Sequence, residues 1–394
     1  MSTTKNDVIR FELLMDAGNG AQKAGDILIK AFADSDKKVF IEPLIPAEIS
    51  PPKRTPHSMS GVVIRVSKDE LTNIGSFSEF VFVEHEILLK RRLADKEFSE
   101  GCHIFIDMAE SKRFKEDFDQ AIAEAESQKA NVHQFYMHEE AVAIIRSLNG
   151  NGKNMYFLGC MAKVFNVDVE SLKKIIKQTF KKLSEEKINK NIDIFNLAYT
   201  HFETQVKAEL NPNEVSIKAD NILLDGNMAM SLGIIDAGIK LYSGYPITPA
   251  SSIMHTLAKI FPSYGGMLHQ AEDEISAIGA VVGSYFAGVP AVTATSGPGL
   301  SLKQEILGLA TVAEIPCILI DVQRGGPSTG LPTRTEQSDL LAAAFGSHGD
   351  NTKVVISVSN IKDCFYAPHV ARYLTEKLRT PVMIMSDYIL SVSY

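Results

Sequence analysis

Cysteine is scarce in this chain. Cys102, Cys160, Cys317 and Cys364 are the only four among 394 residues, and no two stand at the spacing of a metal or iron–sulfur motif. That excludes a resident cluster, a metal site of this kind and a disulfide scaffold, and a reducing, cytoplasmic setting is the expectation. Excess positive charge is also missing. The 40 Lys and Arg against 48 Asp and Glu leave a formal charge of −8, which argues against a protein that coats nucleic acid. The opening MSTTKNDVIRF has no charged start followed by an apolar core, so no secretory signal is expected. There is no repeat of fixed period and no low-complexity tract.

Charge is absent altogether between Ile275 and Leu302. A membrane helix, however, is continuous and rich in large apolar residues. This stretch is broken at Gly288-Val289-Pro290 and again at Ser296-Gly297-Pro298-Gly299. It is expected to fold as a buried helix, a tight turn, a buried strand and a glycine loop, with no membrane span.

The length suits two domains. In the first block, an apolar run Val8–Met15 leads through Gly18-Asn19-Gly20 into a helical pattern over Ala21–Phe32. Short β-like runs follow at Val39–Ile41, Val62–Val66, Phe80–Val83 and His103–Ile106, then helices near Lys153–Phe165, Val169–Leu183 and Ile194–Val206. The polar segment Lys207–Asp220 contains Asn-Pro-Asn and reads as a linker. Beyond it, helix and strand alternate regularly, and near-continuous apolar runs such as IPCILIDV (Ile315–Val322) suit a parallel sheet covered on both faces. The expected architecture is two α/β domains, residues 1–206 and 221–394, joined by 207–220. The basic run Lys173–Lys190 carries Ile175, Ile176, Phe180 and Leu183 at helical spacing, so its lysines are expected on a solvated face.

Several segments carry chemistry. Gly18-Asn19-Gly20 sits between strand and helix, where backbone N–H groups can meet an anion. The dinucleotide fingerprint fails at its third glycine, which is Lys23 here. A turn, a ligand contact and a subunit contact remain open for that loop. In Tyr245-Pro246-Ile247-Thr248-Pro249, two prolines stiffen the backbone and direct the Thr248 hydroxyl. In HQAEDEISAIGA, Glu272 and Asp273 are ordinary complements of a helix N-terminus. Glu274 instead leads the apolar face, and a partly buried carboxylate there has the properties of a proton-handling group. The loop Thr293–Gly299 ends a buried strand, the edge where α/β sheets bind ligands. Its Ser296 lacks the G-x-S-x-G frame of a nucleophile elbow. Arg324, at the end of another strand before Gly325-Gly326-Pro327, can present paired donors to a carboxylate.

Taken together, YPITPASS, QAEDEISAIGA, TATSGPGLSL and DVQRGGPSTGLPTRTEQSDL resemble the alpha subunit of 2-oxoacid:ferredoxin oxidoreductases, nearest in pattern to the 2-oxoglutarate type. DAGNGAQKAGDILIKAF and IPAEI resemble the gamma domain that many such enzymes fuse in front. The resemblance implies that 221–394 is a doubly wound, pyrimidine-type thiamine-diphosphate-binding domain and that 1–206 is a gamma-type α/β domain.

It further implies oxidative decarboxylation of a 2-oxoacid, with coenzyme A taking the acyl group and electrons passing to ferredoxin. By the same resemblance Glu274 hydrogen-bonds the cofactor's pyrimidine ring nitrogen, and Tyr245, Pro246, Gly297 and Gly299 lie against the cofactor. Thr248, Arg324 and, less closely, Thr333 bind substrate, so that Glu274, Thr248 and Arg324 form the catalytic set. A beta subunit is implied to carry the diphosphate–Mg2+ half-site and an iron–sulfur cluster, in a dimer of heterodimers, leaving this chain inactive alone. Many fused alpha subunits continue past the strand that ends near Ser386, whereas this sequence stops at Tyr394. A pyruvate, branched-chain or aryl-pyruvate enzyme, or a non-catalytic assembly subunit, is the alternative reading.

Overall fold

The structure, a computed structural model, describes residues 2–46, 51–204, 206–210 and 222–394. It divides into two units, Met1–Leu223 and Leu224–Tyr394.

The first unit holds β1 (Ser2–Asn6), β2 (Val8–Asp16), β3 (Lys38–Leu44), β4 (Met59–Ser67), β5 (Ser78–Val83), β6 (Phe98–Asp107), β7 (Asn131–Phe135) and β8 (Val206–Leu210). Six of these form a mixed sheet in the order β3-β4-β2-β5-β6-β7. β4 runs antiparallel to β2 and β3, while β2, β5, β6 and β7 run parallel. β2 is buried from Ile9 to Asp16 without alternation, as a central strand covered on both faces must be. The helix Lys153–Val164 (KNMYFLGCMAKV) is buried on nearly every side for the same reason. Phe165, just beyond it, packs on Phe11 at 4.3 Å between ring centroids.

Two expectations for this unit change. The segment assigned to a linker starts as structure: Lys207–Leu210 belong to β8, which pairs in parallel with β1 from Ser2↔Val206 to Asn6↔Leu210. β1 reads STTKN with no apolar period, and β8 reads VKAEL, an alternation of only five residues, so the long-range pairing is what defines them. Residues 211–220 of the expected linker lie outside the described residues, as do Ala47–Ile49 of the IPAEI motif. The basic run is also two helices rather than one. Val169–Thr179 ends before Ser184, whose extended backbone starts Glu185–His201. Leu172, Ile175 and Ile176 are buried, whereas Leu183 lies exposed between the helices. Lys173 and Lys190 pair with Glu170 and Glu186 on the surface.

The second unit holds β9 (Leu241–Gly244), β10 (Met267–Gln270), β11 (Ala291–Thr295), β12 (Cys317–Gln323), β13 (Val354–Ser357) and β14 (Pro381–Asp387). All pairs are parallel, in the order β10-β9-β11-β12-β14-β13. After β9 the chain crosses first to one side, to β10, and then to the other, to β11. That reversal makes the gap between the carboxyl ends of β9 and β11 a topological switch point, where open α/β sheets bind ligands. The uncharged stretch forms the helix Glu274–Phe286, a turn, β11 and the start of the helix Gly297–Val312. What reads as a glycine loop is thus the helix's first turn, in which Pro298 sits where a missing N–H is harmless. Among the described residues no helix is long and apolar enough to cross a membrane.

Candidate active site

Because every strand of the second sheet is parallel, the loops after β9, β10, β11 and β12 open on one edge. That edge receives Tyr245–Ala250, Glu274, Ser296–Gly299 and Arg324. Two pairs of the expected site residues meet there.

Glu274 and Gly299 form the first pair. Glu274 is the first residue of its helix, and Asp273 caps that helix by accepting the Ser276 N–H at 2.7 Å. With the cap supplied by its neighbour, the Glu274 carboxylate is free for other work. It is buried at 8% exposure, and among the described residues its carboxyl accepts no hydrogen bond. A Cβ on Gly299 would lie 2.0 Å from Thr295 Oγ1 and 2.9 Å from Glu274 Cγ, so only glycine lets the two helix starts approach this closely. At Gly297 a Cβ would lie 2.7 Å from Asp339 Oδ1. On the Cβ side of each glycine the space is filled by this chain's own Thr295, Glu274 and Asp339.

Thr248 and Arg324 form the second pair, since Arg324 Nη1 donates to the Thr248 carbonyl at 2.7 Å. Arg324 is buried at 5% exposure and its Nε lacks a partner among the described residues. Burial pulls its pKa below the ordinary guanidinium value, while Asp339 opposes that shift. Asn227 Nδ2 donates to the Pro249 carbonyl at 3.0 Å and fixes the loop from below. The Thr248 side chain itself is exposed, as are Tyr245 and Pro246. Thr333 lies in a loop closed by the Gly325 N–H on the Arg334 carbonyl at 2.7 Å, with its hydroxyl buried and unpaired. Among the described residues no hydrogen bond joins Tyr245, Pro246 or Thr333 to either pair.

The structure adds residues that the sequence reading passed over. Lys303 is fully buried, and its Nζ donates to the Glu274 carbonyl at 2.7 Å. Burial lowers its pKa to about 8 against the opposing pull of Glu274. The signal was present: Lys303 stands on the stripe of Gly299, Leu300, Leu307 and Ala310 that faces the core. Asp321 and Asp339 bring their carboxyl groups together under Arg324. Buried hydroxyls of Thr293 and Ser296 complete a set of polar atoms without partners along this edge.

The equivalent edge of the first unit is different. Glu84 accepts the Asp16 N–H at 2.9 Å, the Asn19 amide at 2.8 Å and Lys153 Nζ at 2.6 Å. Gly18 and Gly20 adopt φ of 84° and 86°, which their turn requires. A cavity of about 470 Å³ opens beside this loop, with Asn19, Lys23, Asn151 and Asn154 in its wall.

Comparison with known proteins agrees with this division. Residues 16–201 match the family model of pyruvate ferredoxin/flavodoxin oxidoreductase. Residues 232–393 match that of the thiamine-diphosphate-binding part of pyruvate flavodoxin/ferredoxin oxidoreductase. The chain belongs to the 2-oxoacid:ferredoxin oxidoreductase family.

It is 32% identical to the 2-oxoglutarate oxidoreductase subunit KorA of Mycobacterium tuberculosis over 97% of its own length and 60% of that protein. It is 46% identical to the 2-oxoglutarate synthase subunit KorA of Methanothermobacter marburgensis over 43% of this chain and 45% of that one. Among solved structures, a 2-oxoglutarate:ferredoxin oxidoreductase from Magnetococcus marinus, with 2-oxoglutarate, coenzyme A and succinyl-CoA bound, superposes with a TM-score of 0.84 at 31% identity. That match covers 99% of this chain and 65% of the other. The chain thus spans about half to two thirds of the length of the relatives it matches.

Proposed function

We propose that this chain is the alpha subunit of a thiamine-diphosphate-dependent 2-oxoacid:ferredoxin oxidoreductase acting on 2-oxoglutarate. The observation that carries the reading is Glu274 at the start of a helix beside the switch point, a residue 8% exposed whose carboxyl is engaged by no donor of the described residues. A carboxylate held in place and left without a donor is available to a hydrogen-bond partner that a ligand brings. The protonated ring nitrogen of an aminopyrimidine is such a partner, so the donor set fits thiamine diphosphate.

Thiamine diphosphate, when bound, supplies a carbon nucleophile for the 2-oxo group and a sink for the electrons that remain after carbon dioxide departs. This chain's residues do the rest on their side of the site. Glu274 holds the pyrimidine through its carboxyl and manages a proton there. Lys303 and Gly299 fix the helix turn that carries Glu274. Arg324 keeps its Nε–H for the substrate carboxylate, with Nη1 tied to the Thr248 carbonyl. Thr248 offers its exposed hydroxyl to the oxo group, and Thr333 and Tyr245–Pro246 line the approach. A beta subunit with the diphosphate–Mg2+ half-site and an iron–sulfur cluster, coenzyme A as acyl acceptor and ferredoxin as electron acceptor complete the reaction. The resemblance, the relatives' names and the bound molecules of the Magnetococcus marinus enzyme support 2-oxoglutarate as substrate.

The test is Glu274→Gln in the enzyme reconstituted with its beta subunit. Expected is loss of 2-oxoglutarate-dependent dye reduction with assembly intact; unchanged turnover would refute the assignment. Turnover of wild type across a panel of 2-oxoacids decides the substrate, and preference for pyruvate would replace 2-oxoglutarate in this reading.

A further inference from the structure

Asp321 ends the apolar run of β12, between Thr295 of β11 and Met385 of β14, and is fully buried. No N–H or O–H of the described residues donates to either of its carboxyl oxygens. What they meet instead is the carboxyl of Asp339, whose own Oδ2 has no other partner. Two facing carboxylates in a dry site repel one another, and the pair is stable only when a proton lies between them.

Asp339 also reaches in two further directions. The Gly297 N–H faces it at the start of the helix Gly297–Val312, and the Arg324 guanidinium attracts it. Its own N–H donates to Gln323 Oε1 at 3.1 Å. One acid thus ties the end of β12 and the helix that carries Gly299 to Arg324.

We propose that Asp321 and Asp339 share one proton, and that the shared proton holds Arg324 and the first turn of Gly297–Val312 in register for the 2-oxoacid. With one proton the pair carries a single negative charge, which matches the single positive charge of Arg324. Without it a second negative charge lies beside Arg324 and competes with the substrate carboxylate. Burial and the neighbouring carboxyl hold the Asp321 proton well above the usual carboxylate range, so the change lies at higher pH than that of an ordinary carboxylate. The other charged neighbours are few. Glu336 raises the Asp339 pKa in the same direction, and Arg324 lowers it. Asp387, at the end of β14, is engaged by the Leu390 N–H and by Gln337. Asp321 and Asp339 are positioning residues, and their effect on turnover rests on the function proposed above.

The test has two arms, both on the assembled enzyme. Infrared spectra in H2O and D2O at neutral pH are expected to contain the carbonyl band of a protonated carboxylic acid that Asp321→Asn removes. A difference spectrum of wild type minus Asp321→Asn without such a band would overturn the shared proton whatever the enzyme's substrate, the band of Asp107, which burial raises to about 7, cancelling in the difference. In the kinetic arm, wild-type KM for 2-oxoglutarate is expected to rise as pH is raised, with kcat changing less. Asp321→Ala raises KM about tenfold at neutral pH. Asp321→Asn, whose amide donates the same hydrogen bond with no proton to lose, restores KM and flattens its rise with pH. A KM indifferent to Asp321→Ala, or a rise with pH that persists in Asp321→Asn, would overturn the positioning role. Wild type without 2-oxoacid turnover would overturn the proposed function, while the infrared band would still decide the pair.

Discussion

The two units place polar side chains at the carboxyl edge of a parallel array in opposite ways. In the first, Glu84 accepts three donors, and Asp16 accepts from the Ser58 hydroxyl at 2.6 Å and meets His85 Nε2 at 3.1 Å. Deeper in the same unit, Arg92 donates to both oxygens of the buried Glu12, at 2.8 and 2.9 Å. In the second unit, Arg324 Nε, the Thr293 and Ser296 hydroxyls and the Thr333 hydroxyl have no partner among the described residues. Buried polar groups are almost always paired in folded proteins, and those that are not call for an explanation. The first edge is not saturated either, since His85 Nδ1 and Glu86 Oε2 lack partners among the described residues. Its acids Glu84 and Asp16 are nevertheless met by several donors, whereas the unpaired atoms of the second edge leave hydrogen-bonding capacity for a ligand. Sequence composition alone does not separate the two edges, since both carry Gly, Asp and Glu.

The comparison breaks most sharply at its two arginines. Arg324→Ala is expected to raise KM for the 2-oxoacid about a hundredfold. The same change should also lower thermal stability, because it frees the Thr248 carbonyl and removes the positive charge beside Asp339, so KM is to be read on the folded fraction. A matching loss of stability with unchanged KM would class Arg324 with the structural network. Arg92→Met should act on stability alone. It takes two donors from the fully buried Glu12, which keeps only the Ser78 hydroxyl and the Arg10 guanidinium, and should lower stability by about 3 kcal/mol in denaturant titration. Turnover per folded molecule should follow the wild type.

A smaller effect is expected at Lys303, where a fully buried ammonium with a pKa near 8 serves one carbonyl. The unfolded chain binds the lysine proton more tightly than the folded one, so stability rises with pH from about 8 to about 10.5. Lys303→Met should remove that rise and stabilise the protein near neutral pH by about 2 kcal/mol. A variant less stable than wild type would instead make the Lys303–Glu274 bond a net contributor to the fold.

How much of this was legible beforehand follows from what local sequence encodes. The parallel sheet of the second unit was legible because strands buried on both faces, such as Cys317–Gln323, read as unbroken apolar runs. The strand Met267–Gln270 was not, since it is a mostly exposed edge strand of four residues defined by its pairing with β9. β1 and β8 escaped notice for the same reason, being short strands at opposite ends of their unit. In the site, Glu274, Thr248 and Arg324 stood out because each sits at a strand or helix end in a distinctive context. Asp339 did not, because nothing in EQSDLL announces that its carboxyl will meet Asp321 and Gly297. Lys303 was hidden in plain view, since a periodic apolar stripe invites the eye to read a lysine as its solvated exception.

Cofactor activation is proposed at the carboxyl edge of the second unit, with Glu274 at its centre. Its most direct test is the rate of hydrogen–deuterium exchange at the thiazolium carbon of thiamine diphosphate bound to the assembled enzyme, wild type against Glu274→Gln. Expected is exchange slowed about a hundredfold or more in the variant, with the cofactor still bound. Equal rates in the two enzymes would contradict the claim and leave Glu274 a structural carboxylate.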